Sequence, residues 1–62
     1  MKVRDAIRLV EADGWRMMRP RGSHRPFRHP TKPGTVTISS KESLEIPRGT
    51  FHRILKQAGL KE

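Results

Sequence analysis

The stretch Trp15-Arg-Met-Met-Arg-Pro-Arg-Gly22, then Ser23-His-Arg-Pro-Phe-Arg-His-Pro30, then Thr35-Val-Thr-Ile-Ser39 decides the fold. Gly22 parts the first run from the second, and Pro30, Pro33 and Gly34 part the second from the third. That punctuation predicts strand, turn, strand, loop and strand. The third run is the clearest, because Val36 and Ile38 alternate with Thr35, Thr37 and Ser39 at the two-residue period of a half-buried strand. In the second run Pro26 has no N–H to give to a ladder, so an edge or irregular position is expected for it. If Phe27 faces the core, Ser23, Arg25 and His29 share its side, while His24, Pro26 and Arg28 point the other way. With Trp15, Met17, Val36 and Ile38 also inward, Arg16, Thr35, Thr37 and Ser39 join His24 on an uncovered sheet face. A register slip of one residue would invert that assignment.

Helices flank the three strands. From Lys2 to Asp13, Val3, Ala6, Ile7 and Val10 recur at helical spacing, and Gly14 follows as a stop. Ser40 to Pro47 reads as a polar loop. A second helix is expected from about Gly49 or Thr50, with Thr50 as its N-cap and Phe51, Ile54, Leu55 and Ala58 as its apolar face. Gly59 ends it, with Leu60 folding back on the last turn. The expected architecture is a two-layer α+β domain over residues 1–62, α-β-β-β-α, with both helices on one face of an antiparallel sheet.

Composition narrows the function. A chain of 62 residues with 32% hydrophobic content builds a small core and a shallow surface site rather than a deep cofactor pocket. It has no cysteine, so disulfides and thiolate metal sites are excluded. No stretch nears the roughly 20 apolar residues of a membrane span, and no apolar signal region opens the chain, so a soluble, cytoplasmic protein is expected. Against 6 acidic residues stand 14 Lys and Arg, a net charge of +8 that suits a polyanion such as nucleic acid.

His24 is the residue best suited to chemistry. Imidazole exchanges its proton readily near neutral pH, and Arg19, Arg21, Arg25 and Arg28 surround it in sequence. Such cations favour a neutral, base-competent imidazole and stabilise charge developing on a phosphate. RNA fits this chemistry without a metal, because its own 2′-hydroxyl attacks the adjacent phosphate once deprotonated. Arg16 and Ser23 join those arginines as expected RNA contacts. Arg48, Gly49 and Thr50 open the second helix, where they form either a second phosphate site or an ordinary cap. His29 suits a structural hydrogen bond and His52 a surface position, and the three histidines match no zinc spacing. On the residues alone, His24 is either a catalytic group or a surface histidine.

The runs Gly14-Trp15, Arg21-Gly-Ser-His24 and Phe27-Arg-His-Pro30, with the ending Ile46-Pro-Arg-Gly-Thr-Phe-His-Arg-Ile-Leu-Lys-Gln-Ala-Gly-Leu60, resemble the HicA messenger-RNA interferase family. The resemblance spans nearly the whole chain. It implies a double-stranded-RNA-binding-domain-like fold and the toxin half of a type II toxin–antitoxin pair. Messenger RNA would be cleaved without a metal or other cofactor, with His24 catalytic and a HicB-type antitoxin covering it. The toxin would be a monomer alone or a hetero-oligomer with that partner. Some members carry a further histidine after the third strand, where this chain has Ser39, Ser40 and Lys41. Lys41 or an arginine would then have to serve as acid or anion clamp. The competing expectation is a non-catalytic RNA-binding module of the same fold, which would not need His24. Binding to DNA or to a membrane surface is a weaker fit, because neither a recognition helix nor a wide apolar helix face is present.

Overall fold

The computed structural model describes residues 1–60, and residues 61 and 62 lie outside the described residues. The elements are α1 (Val3–Ala12), β1 (Arg16–Met17), β2 (His24–Arg28), β3 (Val36–Ser39) and α2 (Arg48–Gln57). The strands form one antiparallel sheet in the order β1-β2-β3, so the expected α-β-β-β-α order is the observed one. Val3, Ala6, Ile7 and Val10 of α1 and Ile54 of α2 are buried together with Phe27, Val36 and Ile38 of the sheet. Both helices therefore cover a single sheet face.

Register fixes which side chains remain uncovered. Arg25 pairs with Ile38, Phe27 with Val36 and Met17 with Phe27, and these share the helix-facing side. His24 pairs with Ser39, Pro26 with Thr37 and Arg16 with Arg28 on the open side. Burial follows the same alternation, with Val36 and Ile38 buried and Thr37 between them exposed. Met17 has the core parity yet is exposed, because it stands on the short edge strand beyond the helices.

Pro26 sits in the central strand, so of the edge or irregular position expected for it the irregular one is observed. In an antiparallel ladder the N and C=O of one residue point toward the same neighbouring strand. The Pro26 carbonyl accepts from the Met18 N–H at 2.8 Å, so its missing donor also faces the β1 side. There the ladder is already interrupted. Between Met17 opposite Phe27 and Arg21 opposite His24, four steps of chain face three. The extra residue makes a bulge, a place where proline does no harm to a ladder.

The loop before α2 does more than connect. Val3 and Arg4 donate their backbone N–H groups to the Leu44 and Glu42 carbonyls at 2.9 and 3.1 Å, which satisfies two orphan donors of α1. Ile46 is buried, and its N–H donates to the Met1 carbonyl at 2.7 Å. With Ile46 anchored, the chain turns into α2 at once. Pro47 is the N-cap, its carbonyl accepting from Phe51 at 3.0 Å, and Thr50 lies inside the first turn rather than at the cap.

The helices end alike. After α1, Gly14 donates to Glu11 and Trp15 to Val10; after α2, Gly59 donates to Lys56 and Leu60 to Leu55. Each is the paired closure in which a left-handed glycine lets the next residue fold back onto the helix. At α1 that next residue is Trp15, 1% exposed. Around this turn three side chains converge. His29 Nδ1 accepts the N–H groups of Thr31 and Lys32 at 3.1 Å each, which leaves Nε2 to donate to the Asp13 carbonyl at 2.7 Å. The Trp15 ring meets His29 edge-on at 5.3 Å. Lys32 donates from Nζ to the Asp13 carboxylate at 2.5 Å and to the Ala58 carbonyl at 3.1 Å, tying the ends of both helices together. The Asp13 carboxylate also accepts from Trp15 Nε1 at 3.2 Å.

Gly14 has φ +106°, and a Cβ there would stand 2.8 Å from His29 Nε2. Gly14→Ala should therefore lower stability by more than the roughly 1–2 kcal/mol of left-handed backbone strain alone, read as a drop in thermal midpoint.

The Lys32 hydrogen bond holds the Asp13 carboxyl below its ordinary value. A carboxylate so depressed stabilises the fold above its unfolded pKa and ceases to do so as pH falls through the folded one. Lys32→Met should lower the melting temperature at pH 7 and flatten its decline below about pH 4. Parallel curves for the two proteins would contradict the coupling.

Candidate active site

His24 is the first residue of β2, and its position follows from the turn before it. Arg21 and His24 exchange both backbone hydrogen bonds, at 2.9 and 3.0 Å, leaving Gly22 and Ser23 as a two-residue hairpin turn. Gly22 has φ +58° and Ser23 does not have positive φ, the pattern of a turn with glycine in its first central position. A Cβ on Gly22 would meet nothing within 4 Å, so backbone conformation rather than space calls for glycine.

On its other side His24 faces Ser39, and the Ser40 N–H donates to the Ser23 carbonyl at 2.8 Å. The Lys41 N–H donates to Ser39 Oγ at 3.2 Å, which leaves the serine's own hydrogen available. Exposed His24 thus stands between Arg21 and Ser39 on the open face. Directly opposed residues in such ladders hold their Cβ atoms roughly 4.5–5.5 Å apart. Farther along the same face, Arg16 and Arg28 are cross-strand partners. Met18, Arg19, Arg21, Pro26, Arg28 and Thr35 line a shallow recess that does not include His24 itself.

The remaining sequence-predicted residues lie elsewhere. Ser23 is exposed in the turn, and Lys41 is exposed just past β3. Arg25 is on the helix-facing side, where it forms an ion pair with Glu42 at 3.0 Å, so it does not share the His24 face. That pair steadies the loop whose Glu42 carbonyl caps α1. Arg48, Gly49 and Thr50 form the first turn of α2, away from the arginine recess. Thr50 borders a recess with Thr37 and Ser39, so this turn approaches the end of β3 rather than the arginines. A Cβ on Gly49 would meet nothing within 4 Å, which leaves the backbone there open. His29 is held in the structural cluster described above, and exposed His52 makes an edge contact with Phe51.

Among the described residues no group of three or more His, Asp or Glu side chains is placed to hold a metal ion. No described helix is long and apolar enough to cross a membrane. Sequence reasoning missed Met18, which it left in a strand without a role, and Lys32, which carries the link between helix ends. The available signal for Met18 was Pro20 two residues later, since proline marks a place where a ladder is broken.

A family model described as the HicA toxin of bacterial toxin–antitoxin matches residues 3–60, from the start of α1 to the closing turn after α2. No curated protein matches the chain. With the match running through every element of the fold, the chain belongs to the HicA family of toxins from bacterial toxin–antitoxin systems.

Proposed function

We propose that this toxin is an endoribonuclease that cleaves messenger RNA without a metal ion, with His24 as its acid–base residue and the open sheet face as its RNA surface. The observation that carries the proposal is His24 itself: an exposed imidazole at the tip of a tight hairpin, between Arg21 and Ser39 on an uncovered face. His24 takes the proton of a ribose 2′-hydroxyl, whose oxygen attacks the adjacent phosphorus. The bond from phosphorus to the 5′-oxygen then breaks, and the imidazolium of His24 returns its proton to that oxygen, leaving a 2′,3′-cyclic phosphate, a 5′-hydroxyl and a neutral His24. Arg21 and the Ser39 hydroxyl are disposed to steady the charge that gathers on the phosphate oxygens. Arg16, Arg19 and Arg28 hold the flanking backbone, Lys41 lies beyond Ser39 as a further cation, and Ser23 offers its hydroxyl from the turn. Arg48, Gly49 and Thr50 serve a more distant phosphate, and Arg25, engaged with Glu42, meets RNA only at the margin.

His24→Ala should lower the cleavage rate by about 10²–10⁴-fold, the usual contribution of general acid–base catalysis. Its melting temperature should stay at the wild-type value, and chelator should leave wild-type cleavage unchanged. Unaltered cleavage by His24→Ala, with RNA binding retained in both proteins, would favour a non-catalytic RNA-binding module.

The same face, with four exposed arginines and a chain charge of +8, suits a HicB-type antitoxin that presents acidic residues and covers His24. The dissociation constant of that complex should rise steadily with salt. A salt-independent constant would contradict an electrostatic mode of neutralisation.

A further inference from the structure

We infer that the recess beside His24 is a subsite for one unpaired nucleotide, in which Met18 and Pro26 receive the base and Arg19, Arg21 and Arg28 hold its phosphate. The inference rests on the proposal that the chain acts on RNA, and adds which form of RNA it takes and where a base is read.

Three features meet at this recess of about 440 Å³. Its charge is one-signed. Among the described residues Arg25 is the sole arginine in an ion pair, so Arg16, Arg19, Arg21 and Arg28 have no carboxylate partner. Arg16 and Arg28 stand directly opposite one another on neighbouring strands, an arrangement that destabilises a sheet when two like charges face each other. An anion between or beside them removes that penalty.

Part of its lining is apolar. Met18 is 41% exposed and Pro26 half-buried, so thioether and pyrrolidine surface lines the recess together with Arg19, Arg21 and Arg28. A site for phosphate alone has no use for such a surface. The face of a base does, because sulfur packs well against aromatic rings and stacking tolerates any base. Thr35 also lines the recess, and its hydroxyl suits a base edge or a ribose hydroxyl.

Its position is fixed relative to His24. Pro26 is two residues along the same strand and on the same face, a separation of roughly 7 Å. The occupant is therefore the nucleotide next to the one attacked. A base inside a duplex is stacked on both sides and cannot enter, so the subsite selects single-stranded RNA. The bulge between β1 and β2 makes this possible, since the extra residue there displaces the chain carrying Arg19 and leaves Met18 uncovered.

The test uses oligonucleotides in which a single ribonucleotide stands among 2′-O-methyl residues, which fixes the bond that can be cut. An abasic residue replaces the base on either side of it. For the wild-type protein, kcat/KM should fall about tenfold when the abasic residue occupies one particular flank. Met18→Ser, a change at an exposed position, should lose about tenfold on the intact oligonucleotide and nothing more on the abasic one. Arg28→Gln should weaken both oligonucleotides equally and reduce the salt slope of binding by about one. An abasic penalty of the same size in wild type and Met18→Ser would overturn the subsite, as would no penalty at either flank. Binding of the same oligonucleotides to His24→Ala separates this inference from the ribonuclease proposal. If no protein cleaves, yet binding depends on the base and on Met18, the subsite stands and the ribonuclease proposal falls. Binding without that dependence, or no binding, overturns the subsite.

Discussion

The turn Asp13-Gly14-Trp15 is the constraint on which the remaining structure depends. Its backbone closes α1, its indole fills the centre of the core, and its carbonyl and carboxylate collect His29, Lys32 and Trp15 Nε1. Through His29 the turn fixes the end of β2 and the loop beyond it. Through Lys32 it reaches the carbonyl of Ala58, the C-cap of α2. A chain of 62 residues has little apolar surface to bury, and no disulfide or other cross-link between cysteines is available to it. A part-buried polar cluster with its donors and acceptors matched supplies the uniqueness that a small apolar core alone would not.

The open face inherits its geometry from that anchoring. With Phe27, Val36 and Ile38 committed to the core, strand alternation leaves His24, Pro26 and Arg28 no choice of side. The hairpin at Gly22-Ser23 then sets His24 at the strand's tip, and the bulge near Pro20 accommodates a proline that a regular central strand would reject. The site is thus a by-product of core registry: the same alternation that buries one side presents an imidazole and unpaired arginines on the other. A fixed, dry scaffold under a wet, cationic surface suits a long flexible polyanion better than it suits a small enclosed ligand.

Much of this was legible in the sequence, and for physical reasons. The periodicity of Val3, Ala6, Ile7 and Val10, the alternation around Val36 and Ile38, and the glycines after each helix each report a local rule, and local rules survive folding. The face assignment of His24 and Arg16 followed from parity alone. What was not legible depended on contacts distant in sequence. For Pro26 an edge and an irregular position were both open, because the choice between them rests on a bulge in another strand. Thr50 looked like an N-cap because nothing local revealed that Ile46 is anchored by Met1, which starts α2 at Arg48. Parity set Arg25 on Phe27's side, but its ion pair was not legible, because its partner, Glu42, lies in a loop beyond the next strand. Lys32 carried no signal at all, since its two partners are at the far ends of the helices.

The product termini report the chemistry of the His24 face most directly. RNA cut by the purified toxin should carry 2′,3′-cyclic or 3′-phosphate ends with 5′-hydroxyl partners, and a 2′-deoxy residue at the cleaved position should stop the reaction. Products with 3′-hydroxyl and 5′-phosphate ends, or undiminished cutting beside a 2′-deoxy residue, would show that water rather than the ribose attacks, and would contradict the account.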